Sequence, residues 1–204
     1  MVIAVNARRP NGYMNPEAGT DSFLTPGEID SLGLADYGSN ARISRFARFY
    51  RPELVSLGDH VRIDDFSVIT GSIKLGSYCH IAAHSIFSGG TDSSIIVGDF
   101  CTFAYGVRVF SKSDDYLGDY MTGSVVPCEF TNATSSNVHI SSHTIVGTSA
   151  TLLPGISLGE GTSIGAMSLV KTSTDPWGVY AGIPARFLKK RGRRPLLYAQ
   201  RIER

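Results

Sequence analysis

Apolar side chains recur every six residues along most of this chain, and no other feature of the sequence constrains its fold as strongly. From Leu57 onward, fifteen blocks of six begin with an aliphatic or aromatic residue: Leu57, Ile63, Ile69, Leu75, Ile81, Phe87, Val97, Phe103, Val109, Ile140, Val146, Leu152, Leu158, Ile164 and Val170. A period of six fits no helix, but it fits short strands joined by turns, with side chains pointing alternately inward and outward. Three blocks close one triangular coil, and stacked coils form a parallel β-helix.

The fifth position of each block predicts a second inward row, at the corners of the coils. It is always small or β-branched: Val61, Ser67, Ile73, Cys79, Ser85, Cys101, Val107, Thr144, Ala150, Ile156, Thr162 and Ser168. We therefore interpret Cys79 and Cys101 as structural corner residues rather than reactive thiols. The second position is often Gly, at 58, 76, 98, 147, 159 and 165, and we expect these glycines in turns with φ > 0. Much of the glycine content, 22 of 204 residues, is thus periodic and does not indicate linkers.

The chain is nearly neutral overall, with 19 basic and 18 acidic side chains, so its charge gives no reason to expect nucleic acid as a partner. The charge is unevenly distributed, however. Residues 186–204 contain eight Lys or Arg and one Glu, whereas the preceding residues contain 11 basic and 17 acidic side chains. A basic tail of this kind can bind phosphate groups.

Three features favour a cytoplasmic protein without membrane insertion. No apolar run approaches the roughly 18 residues that span a bilayer. The three cysteines show no C-x-x-C spacing, so we expect a reducing compartment, and neither a zinc site nor a redox dithiol is indicated. Residues 1–10 have an apolar start, but they lack the basic segment and the cleavage site of a signal peptide.

The repeat divides the chain into three parts. Residues 1–56 are expected to form an N-terminal segment with a helical cap and an irregular first coil. Residues 57–175 form the β-helix with an inserted loop at 111–137, and residues 176–204 form a basic C-terminal arm or helix. The segment Thr25-Pro26-Gly27-Glu28 is typical of a capping box and predicts a helix over 26–32, which would cover the open end of the solenoid.

The blocks of six, the inserted loop and the stretches LLPGISLGEGTSIGAMSLVKT and WGVYAGIPARFLKKR together resemble the hexapeptide-repeat acyltransferases. The C-terminal part is the most specific and resembles the sugar O-acetyltransferase and xenobiotic acetyltransferase branches. The loop SKSDDYLGDYMTGSVVP is similar to members from bacterial surface-polysaccharide gene clusters. The resemblance implies an all-β fold, a left-handed parallel β-helix, and a homotrimer with active sites between subunits. It also implies acetyl-CoA as the donor.

Acetyl transfer to a hydroxyl requires a general base, and His is the usual base in this superfamily. His80 occupies the sixth position of its block beside the inward Ile81, so it should face outward, and His84 lies in the following turn. We therefore predict that His80 and His84 are catalytic. The other three histidines, His60, His139 and His143, are interpreted as turn or strand residues without a catalytic role.

The polar insertion is too long for a turn between blocks, and long loops on rigid scaffolds often carry function. The xenobiotic branch has a His near the start of this loop, where the present chain has Asp114 and Asp115. We therefore count Asp114 among the catalytic candidates and expect Asp115, Tyr116 and Tyr120 to bind the sugar. An amine acceptor that needs no strong base stays open as an alternative.

The resemblance implies that acetyl-CoA, as a co-substrate, lies along the later coils. Small residues there would let the pantetheine arm approach the wall, and basic residues would meet the phosphates. The residues implied are Gly147, Thr148, Gly165, Ala166, Lys171, Pro184, Arg186, Lys189 and Lys190. Pro184 would shape the adenine site, and no metal is expected.

These features predict an acetyl-CoA-dependent O-acetyltransferase acting on a sugar hydroxyl of a surface polysaccharide or its precursor. N-acetylation of a nucleotide-linked amino sugar is the main alternative. A γ-type carbonic anhydrase, which needs three His around zinc, is a further one, because His80/His84 and His139/His143 form two pairs. A non-catalytic solenoid is the last alternative, but it would need neither the insertion nor the basic tail.

Overall fold

The protein is described by a computed structural model over residues 22–202. The apolar chain start at residues 1–10, considered above as a leader, lies outside the described residues, as does the end of the basic tail at 203 and 204. Short strands follow one another around a triangular prism, and each strand pairs in parallel with its counterpart in the next coil. The fold is a left-handed parallel β-helix, as the resemblance to the hexapeptide-repeat acyltransferases implies.

Three parallel sheets form the faces of the prism. Face A contains β1 (Asp36–Tyr37), β4 (Val55–Leu57), β7 (Ile73–Leu75), β10 (Ile95–Val97), β15 (Val138–Ile140) and β18 (Ser157–Leu158). Face B contains β2 (Arg42–Ile43), β5 (Arg62–Ile63), β8 (His80–Ile81), β11 (Thr102–Phe103), β16 (Ile145–Val146), β19 (Ser163–Ile164), β21 (Gly178–Gly182) and the antiparallel β22 (Ala185–Lys190). Face C contains β3 (Arg48–Tyr50), β6 (Val68–Thr70), β9 (Ile86–Ser88), β12 (Arg108–Phe110), β17 (Thr151–Leu152) and β20 (Leu169–Val170).

One strand from each face makes a coil, and we number the coils 1 to 6 from β1–β3 to β18–β20. The chain turns from face A to B at the A–B corner, from B to C at the B–C corner, and from C back to A at the C–A corner. The insertion leaves coil 4 after β12 and returns at β15, so it projects from the C–A corner. Its base is a two-stranded antiparallel ribbon of β13 (Lys112–Ser113) and β14 (Thr134–Ser135).

The core of the prism is built from the two inward rows predicted by the repeat. All the first-position and fifth-position side chains named above are at most 4% exposed. Phe87 and Phe103 fill the middle of the core, with ring centroids 4.9 Å apart in an edge-to-face arrangement. Because every coil places the same two positions inward, the period of six by itself defines this core.

Glycine is required at the second position of the blocks for a different reason from the positive φ angle expected from the sequence. Their φ angles are not positive; the positive values fall at the fourth position, at 58° for Tyr78 and 56° for Phe100. A Cβ atom on Gly58 would lie only 2.7 Å from the backbone carbonyl carbon of Gly76 in the next coil. Gly is therefore needed at the second position because adjacent coils approach closely there.

Replacing Gly58 by Ala is expected to destabilise the fold by about 1–3 kcal/mol, since the added methyl forces two coils apart. Gly27→Ala is the matched control, because a Cβ atom at Gly27 meets nothing within 4 Å. Urea unfolding of both variants measures the effect. Equal stabilities would contradict this explanation of the repeat.

A short helix closes the N-terminal end of the prism. Helix α1 (Pro26–Asp30) begins at the predicted capping box, in which Thr25 and Glu28 exchange hydrogen bonds, and it ends two residues earlier than predicted. Ile29 is buried against the core, which closes the end of the stack. Arg45 of coil 1 binds the Glu28 carboxylate with both terminal nitrogens, at 2.5 and 2.9 Å.

The Arg45 hydrogen bonds, supported by those from Thr25, lower the pKa of Glu28 from 4.5 to about 2. Because the folded-state pKa is depressed, Glu28 stabilises the protein above pH 4.5 and loses that contribution as the pH falls toward 2. We expect Glu28→Gln to lower Tm at pH 7 and the difference from wild type to shrink by pH 3. A pH-independent difference in calorimetric Tm would contradict this assignment.

The chain ends in an arm that folds back on the prism. Strands β21 and β22 form a hairpin below β19, and helix α2 (Arg194–Ile202) follows. Arg191, just before α2, donates from Nη1 to the carbonyl oxygens of His143 and Gly161, at 2.6 and 2.9 Å. These bonds fasten the arm to the A–B corner. No helix within residues 22–202 is long and apolar enough to cross a bilayer.

Candidate functional site

His80 lies on the outer side of face B, in a row of outward side chains. Residue pairing places Arg62 above it in coil 2, Thr102 below it in coil 4, and Ile145 in coil 5. The neighbouring Ile81 is fully buried, so His80 points outward, and 38% of its side chain is exposed. The period of six therefore gives the direction of this side chain correctly.

Asp64 holds the imidazole ring of His80. The Nε2 atom of His80 lies 2.8 Å from Oδ2 of Asp64, and Arg62 donates to the other carboxylate oxygen at 2.6 Å. Burial alone would raise the pKa of Asp64, but the hydrogen bonds from His80 and Arg62 outweigh it, and the pKa lies below its usual value. An ionised carboxylate only accepts hydrogen bonds, so Nε2 carries the proton and Nδ1 of a neutral ring keeps its lone pair.

A polar cleft of 310 Å³ adjoins this pair, and we call it the upper cleft. Its lining residues are Ser22, Phe23, Arg62, Asp64, Asp65, Ala83 and Tyr105. Its two carboxylates face one guanidinium, which itself is bound to Asp64. The cleft therefore presents acidic oxygens, Tyr105 and a nearby imidazole, a combination suited to a cationic or hydroxyl-bearing ligand.

His84 lies at the B–C corner, one turn beyond His80. The φ angle of His84 is 62°. Its imidazole ring stacks on the ring of Phe66 in coil 2, with centroids 5.1 Å apart. The two predicted catalytic histidines thus lie on one coil, at face B and at its edge. Asp64, rather than His84, is the group that contacts His80.

The B–C corner also presents backbone N–H groups without acceptors. In coils 3 to 6 the third residue of the turn there donates to no other group within residues 22–202: Ala83, Tyr105, Thr148 and Ala166. In coil 1 the equivalent N–H group, of Arg45, donates to the carbonyl oxygen of Ser22. At the A–B corner the equivalent groups of coils 1 to 4 are bound, for example Ser77 N–H to Asp99 at 2.7 Å. A ligand with carbonyl or anionic oxygens can therefore be bound by the backbone along the B–C corner.

The residues predicted to contact the pantetheine arm lie at this same corner. Gly147 and Thr148 belong to coil 5, and Gly165 and Ala166 lie directly below them in coil 6. A Cβ atom on Gly147 would be 2.6 Å from the backbone nitrogen of Ala166. Gly147 is therefore required by coil stacking, and the exposed N–H groups, more than the glycines, make the wall accessible to a ligand.

The residues predicted to meet the phosphates and adenine lie at the lower end of the prism. Lys171 follows β20, Pro184 joins β21 to β22, and Arg186, Lys189 and Lys190 lie on β22. The side chains of Lys189 and Lys190 are exposed, and Arg186 donates to its neighbouring carbonyl, of Ala185, at 3.1 Å. Arg186, Lys189 and Lys190 are thus on β22, the last strand of face B. This strand lies beyond coil 6, farther along the prism than the residues of the B–C corner.

The insertion residues stand apart from His80 and His84 within one chain, because they project from the C–A corner. Asp115 accepts the backbone N–H groups of Leu117 and Tyr120, both at 2.7 Å, and these bonds lower its pKa. Asp115 thereby shapes the loop, while Asp114 is exposed and Tyr116 is 90% exposed. Within residues 22–202 no hydrogen bond, ion pair or ring contact joins the insertion to His80 or His84.

The other histidines occupy separate places. His60 and His143 stack in a ladder of rings at the A–B corner, and His139 is exposed on face A. Within residues 22–202 no three His, Cys, Asp or Glu side chains are grouped so that they could hold a metal ion. The two His pairs considered for a zinc enzyme are thus distributed over different faces and corners.

A second cleft, of 260 Å³, lies on face B just below His80, and we call it the lower cleft. Thr102 and Ile145 form its floor, Phe100 and His143 one side, and helix α2 its roof. Arg191 lines it at the point where the arm is fastened to the prism. His80 therefore lies between two clefts of opposite character, one acidic and one mainly apolar.

Sequence reasoning missed Asp64, Tyr105 and the lower cleft. A signal for Asp64 was present, because the block IDDFSV has Asp at a second position that is otherwise usually small. Because one coil contains three blocks, Asp64 lies beside His80 of the following coil. The lower cleft had no such signal, because it depends on where the arm returns to face B.

Comparison with known proteins identifies relatives that are similar in sequence and others that are similar in structure. No family model matches this chain. A dTDP-4-amino-4,6-dideoxy-D-glucose acyltransferase from Escherichia coli is 35% identical over 178 residues, which cover 86% of this chain and 92% of that enzyme. A putative lipopolysaccharide biosynthesis O-acetyl transferase, WbbJ, from Escherichia coli K12 is 29% identical over 162 residues, 74% of this chain and 80% of that protein.

Among solved structures, AntD from Bacillus cereus is similar over most of its length. It is an N-acyltransferase, and its complex with dTDP and 3-hydroxybutyryl-CoA superposes with a TM-score of 0.86 at 35% identity. The superposition covers 89% of this chain and 96% of AntD. A variant of AntD was also solved with dTDP-4-amino-4,6-dideoxyglucose and coenzyme A.

Proposed function

Because this chain belongs to the hexapeptide-repeat sugar acyltransferases, we propose that it transfers an acyl group from an acyl-coenzyme A to the amino group of a nucleotide-linked amino sugar. The observation that carries the proposal is the 35% identity, over 86% of the chain, to an acyltransferase of dTDP-4-amino-4,6-dideoxy-D-glucose. The acidic upper cleft beside His80 supports it, since Asp64 and Asp65 attract an ammonium group.

A bound ammonium group first releases one proton to solvent, and the resulting amine then loses a second proton as it attacks. In our proposal Nδ1 of His80 accepts this proton, while Asp64 keeps the proton on Nε2. The amine nitrogen then forms a bond to the thioester carbonyl carbon, and the C–S bond breaks. The protonated imidazole of His80 returns this proton to the departing thiolate of coenzyme A, so an amide and a free thiol are the products and the base is restored.

The tetrahedral intermediate carries a negative oxygen that needs hydrogen-bond donors. The N–H groups of Ala83 and Tyr105 are suitable, because they have no acceptor within residues 22–202 and lie at the corner beside His80. Farther down the same corner, the N–H groups of Thr148 and Ala166 would bind pantetheine oxygens. Lys171, Arg186, Lys189 and Lys190 would then bind the phosphates, as proposed from the sequence.

We propose further that the active protein is a homotrimer with the site between subunits. Large apolar side chains are exposed along the B–C corner, including Tyr105 at 62%, Met167 at 70% and Ile183 at 73%. Burial of such a stripe favours association. A neighbouring subunit could then bring Asp114, Asp115, Tyr116 and Tyr120 of its insertion to face B.

O-acetylation of a sugar hydroxyl is the second candidate, and the similarity to WbbJ favours it. Both reactions use the same donor and the same bond changes at the thioester. They differ in the acceptor, because a hydroxyl needs a base throughout attack, whereas a free amine is already nucleophilic. The acidic character of the upper cleft favours the amine.

Thiol release from acetyl-CoA and other acyl-CoAs tests the proposal. We expect rapid release with dTDP-4-amino-4,6-dideoxyglucose as acceptor. The matched control is the dTDP-linked sugar with a hydroxyl in place of the amine, which should react at least about 10²-fold more slowly. Faster release with the hydroxyl sugar, or with free saccharides, would overturn N-acylation in favour of O-acylation.

A further inference from the structure

Helix α2 presents two faces of different character. Its inner face packs on the prism, because Pro195, Ala199 and Ile202 line the lower cleft and Ala199 is only 7% exposed. Its outer face contains the residues at i, i+3, i+4 and i+7 from the start of the helix, which share one side of an α-helix. These residues are all exposed, and we call them the arm face: Arg194, Leu197, Tyr198 and Arg201. Tyr198, at the edge of this face, also borders the lower cleft.

The arm face carries positive charge that no acidic group balances. The chain has no Asp or Glu between residues 186 and 202. Within the described part of the chain, residues 22–202, neither Arg194 nor Arg201 forms an ion pair. Arg193, just before the helix, is also exposed and lies over the ring of Trp177, 5.7 Å from its centroid. These guanidinium groups are therefore suited to an anionic partner.

The charge of the rest of the chain gives this surface a direction. The residues before 186 contain 11 basic and 17 acidic side chains, so the body of the protein is acidic while the arm is basic. A surface of negative potential attracts the arm and repels the body. The protein would therefore approach an anionic surface with the arm first.

Apolar side chains between the cations indicate the kind of anionic partner. Leu197 is 60% exposed and Tyr198 57% exposed, and both lie on the same face as the arginines. A nucleic acid or another hydrated polyanion would bind the guanidinium groups but leave Leu197 in water. The surface of a bilayer satisfies both, because its phosphates meet the cations while apolar side chains enter the boundary with the acyl chains.

We infer that the arm face adsorbs to bilayers that contain anionic phospholipids. A basic amphipathic helix is typical of membrane-surface binding. The helix lies in the interface and does not cross the bilayer, since its nine residues are far fewer than the roughly 20 that span one. None of the residues of the arm face is among those proposed for acyl transfer, so the inference goes beyond the proposed function and is tested separately.

Co-sedimentation of the full chain with lipid vesicles gives the first test. One set of vesicles is phosphatidylcholine alone, and the other contains about 30% phosphatidylglycerol. Each basic residue near an anionic surface contributes about 1 kcal/mol, or about fivefold in affinity. We therefore expect the apparent Kd to be at least about tenfold lower for the anionic vesicles, and this difference to vanish near 1 M salt. Equal binding to the two sets, or no binding at low salt, would overturn the inference.

Removing charge from the arm face gives the second test. The double variant Arg194→Gln/Arg201→Gln should bind anionic vesicles at least about tenfold more weakly, with thiol release and Tm unchanged. The matched control is Arg48→Gln/Arg108→Gln, which removes the same charge from two exposed side chains on face C. We expect the control to bind like the wild type. An equal loss in both double variants would assign the binding to net charge and contradict a specific arm face.

Replacing Leu197 by Ala separates a lipid surface from other anionic partners. This variant keeps every charge, so its binding to heparin, a polyanion without an apolar layer, should not change. Its binding to anionic vesicles should weaken at least about fourfold, which corresponds to one buried methylene. Unchanged vesicle binding would show that the face recognises charge alone, and the inference would be wrong.

Two further measurements complete the set of outcomes. Sedimentation of Arg194→Gln/Arg201→Gln should give the same subunit number as wild type. A changed number would show that a second copy of the chain covers the arm face, which would overturn the inference. Absence of thiol release from every acyl-CoA in the unmodified protein would refute the proposed function, while vesicle binding would still support the arm face.

Discussion

Replacing His80 by Ala is expected to lower kcat by at least about 10²-fold while acyl-CoA binding is retained. The imidazole is the titratable group between the two clefts, and its Nε2 atom is bound by Asp64 at 2.8 Å. Its Nδ1 atom is therefore the atom that accepts the proton from the amino group of the acceptor sugar. A 10²-fold loss corresponds to about 2.7 kcal/mol of transition-state stabilisation, within the range for a general base.

Two further variants test whether Asp64 acts through His80. Asp64→Asn removes the charge but keeps a side chain of similar shape, and its amide can donate to Nε2, which would place the ring proton on Nδ1. We expect a loss of kcat with little change in KM, and a shift of the pH profile of kcat relative to wild type. A structural role alone would lower Tm without moving that profile.

His139→Ala is the matched control, because His139 is exposed on face A and lies outside both clefts. Its turnover should equal that of the wild type. Near-normal kcat in His80→Ala, measured by thiol release with the amino sugar, would reject His80 as the base. If Asp114→Asn alone then lost activity, a carboxylate of the insertion would be the base instead.

The direction of His80 could be predicted because the repeat assigns every residue to an inward or an outward row. The same logic gave the core, from Leu57 to Val170. These features depend only on local alternation along strands and on three blocks per coil. No knowledge of distant contacts was needed.

Other parts of the site depend on contacts that the repeat does not encode. The pairing of His80 with Asp64 requires the offset between two adjacent coils, and the lower cleft requires the path of the arm from Lys190 to α2. The glycine pattern is visible in the sequence, but the expected reason for it, a positive φ angle, is wrong. The actual reason is the approach of Gly58 to Gly76, which joins two coils and cannot be seen within one. The period of six assigns each residue to an inward or outward row, whereas the candidate site is formed by contacts between adjacent coils and between the prism and the arm.

Mixed trimers made from two inactive variants are expected to regain activity. His80 is on face B, whereas Asp114 projects from the C–A corner, so one chain keeps the two residues apart. A ring of three identical subunits places the insertion of each beside a different surface of its neighbour. His80→Ala and Asp114→Asn should each lose at least about 10²-fold in kcat as pure trimers.

Equal amounts of the two variants, unfolded and refolded together, form trimers of all compositions. If a site takes His80 from one subunit and Asp114 from the next, about a quarter of the sites contain both intact residues. The mixture should therefore recover about a quarter of wild-type kcat. Continued inactivity of the mixture, when each pure variant is inactive, would show that each site lies within one chain.

A second, matched mixture distinguishes a shared site from a site within one chain. Wild type refolded with the double variant His80→Ala/Asp114→Asn keeps about a quarter of full activity if the site is shared, but about half if it lies within one chain. Loss of activity in His80→Ala alone would leave Asp114 without a role. Sedimentation of each mixture establishes that trimers have formed, because a shared site requires a stable contact along the exposed stripe of Tyr105, Met167 and Ile183.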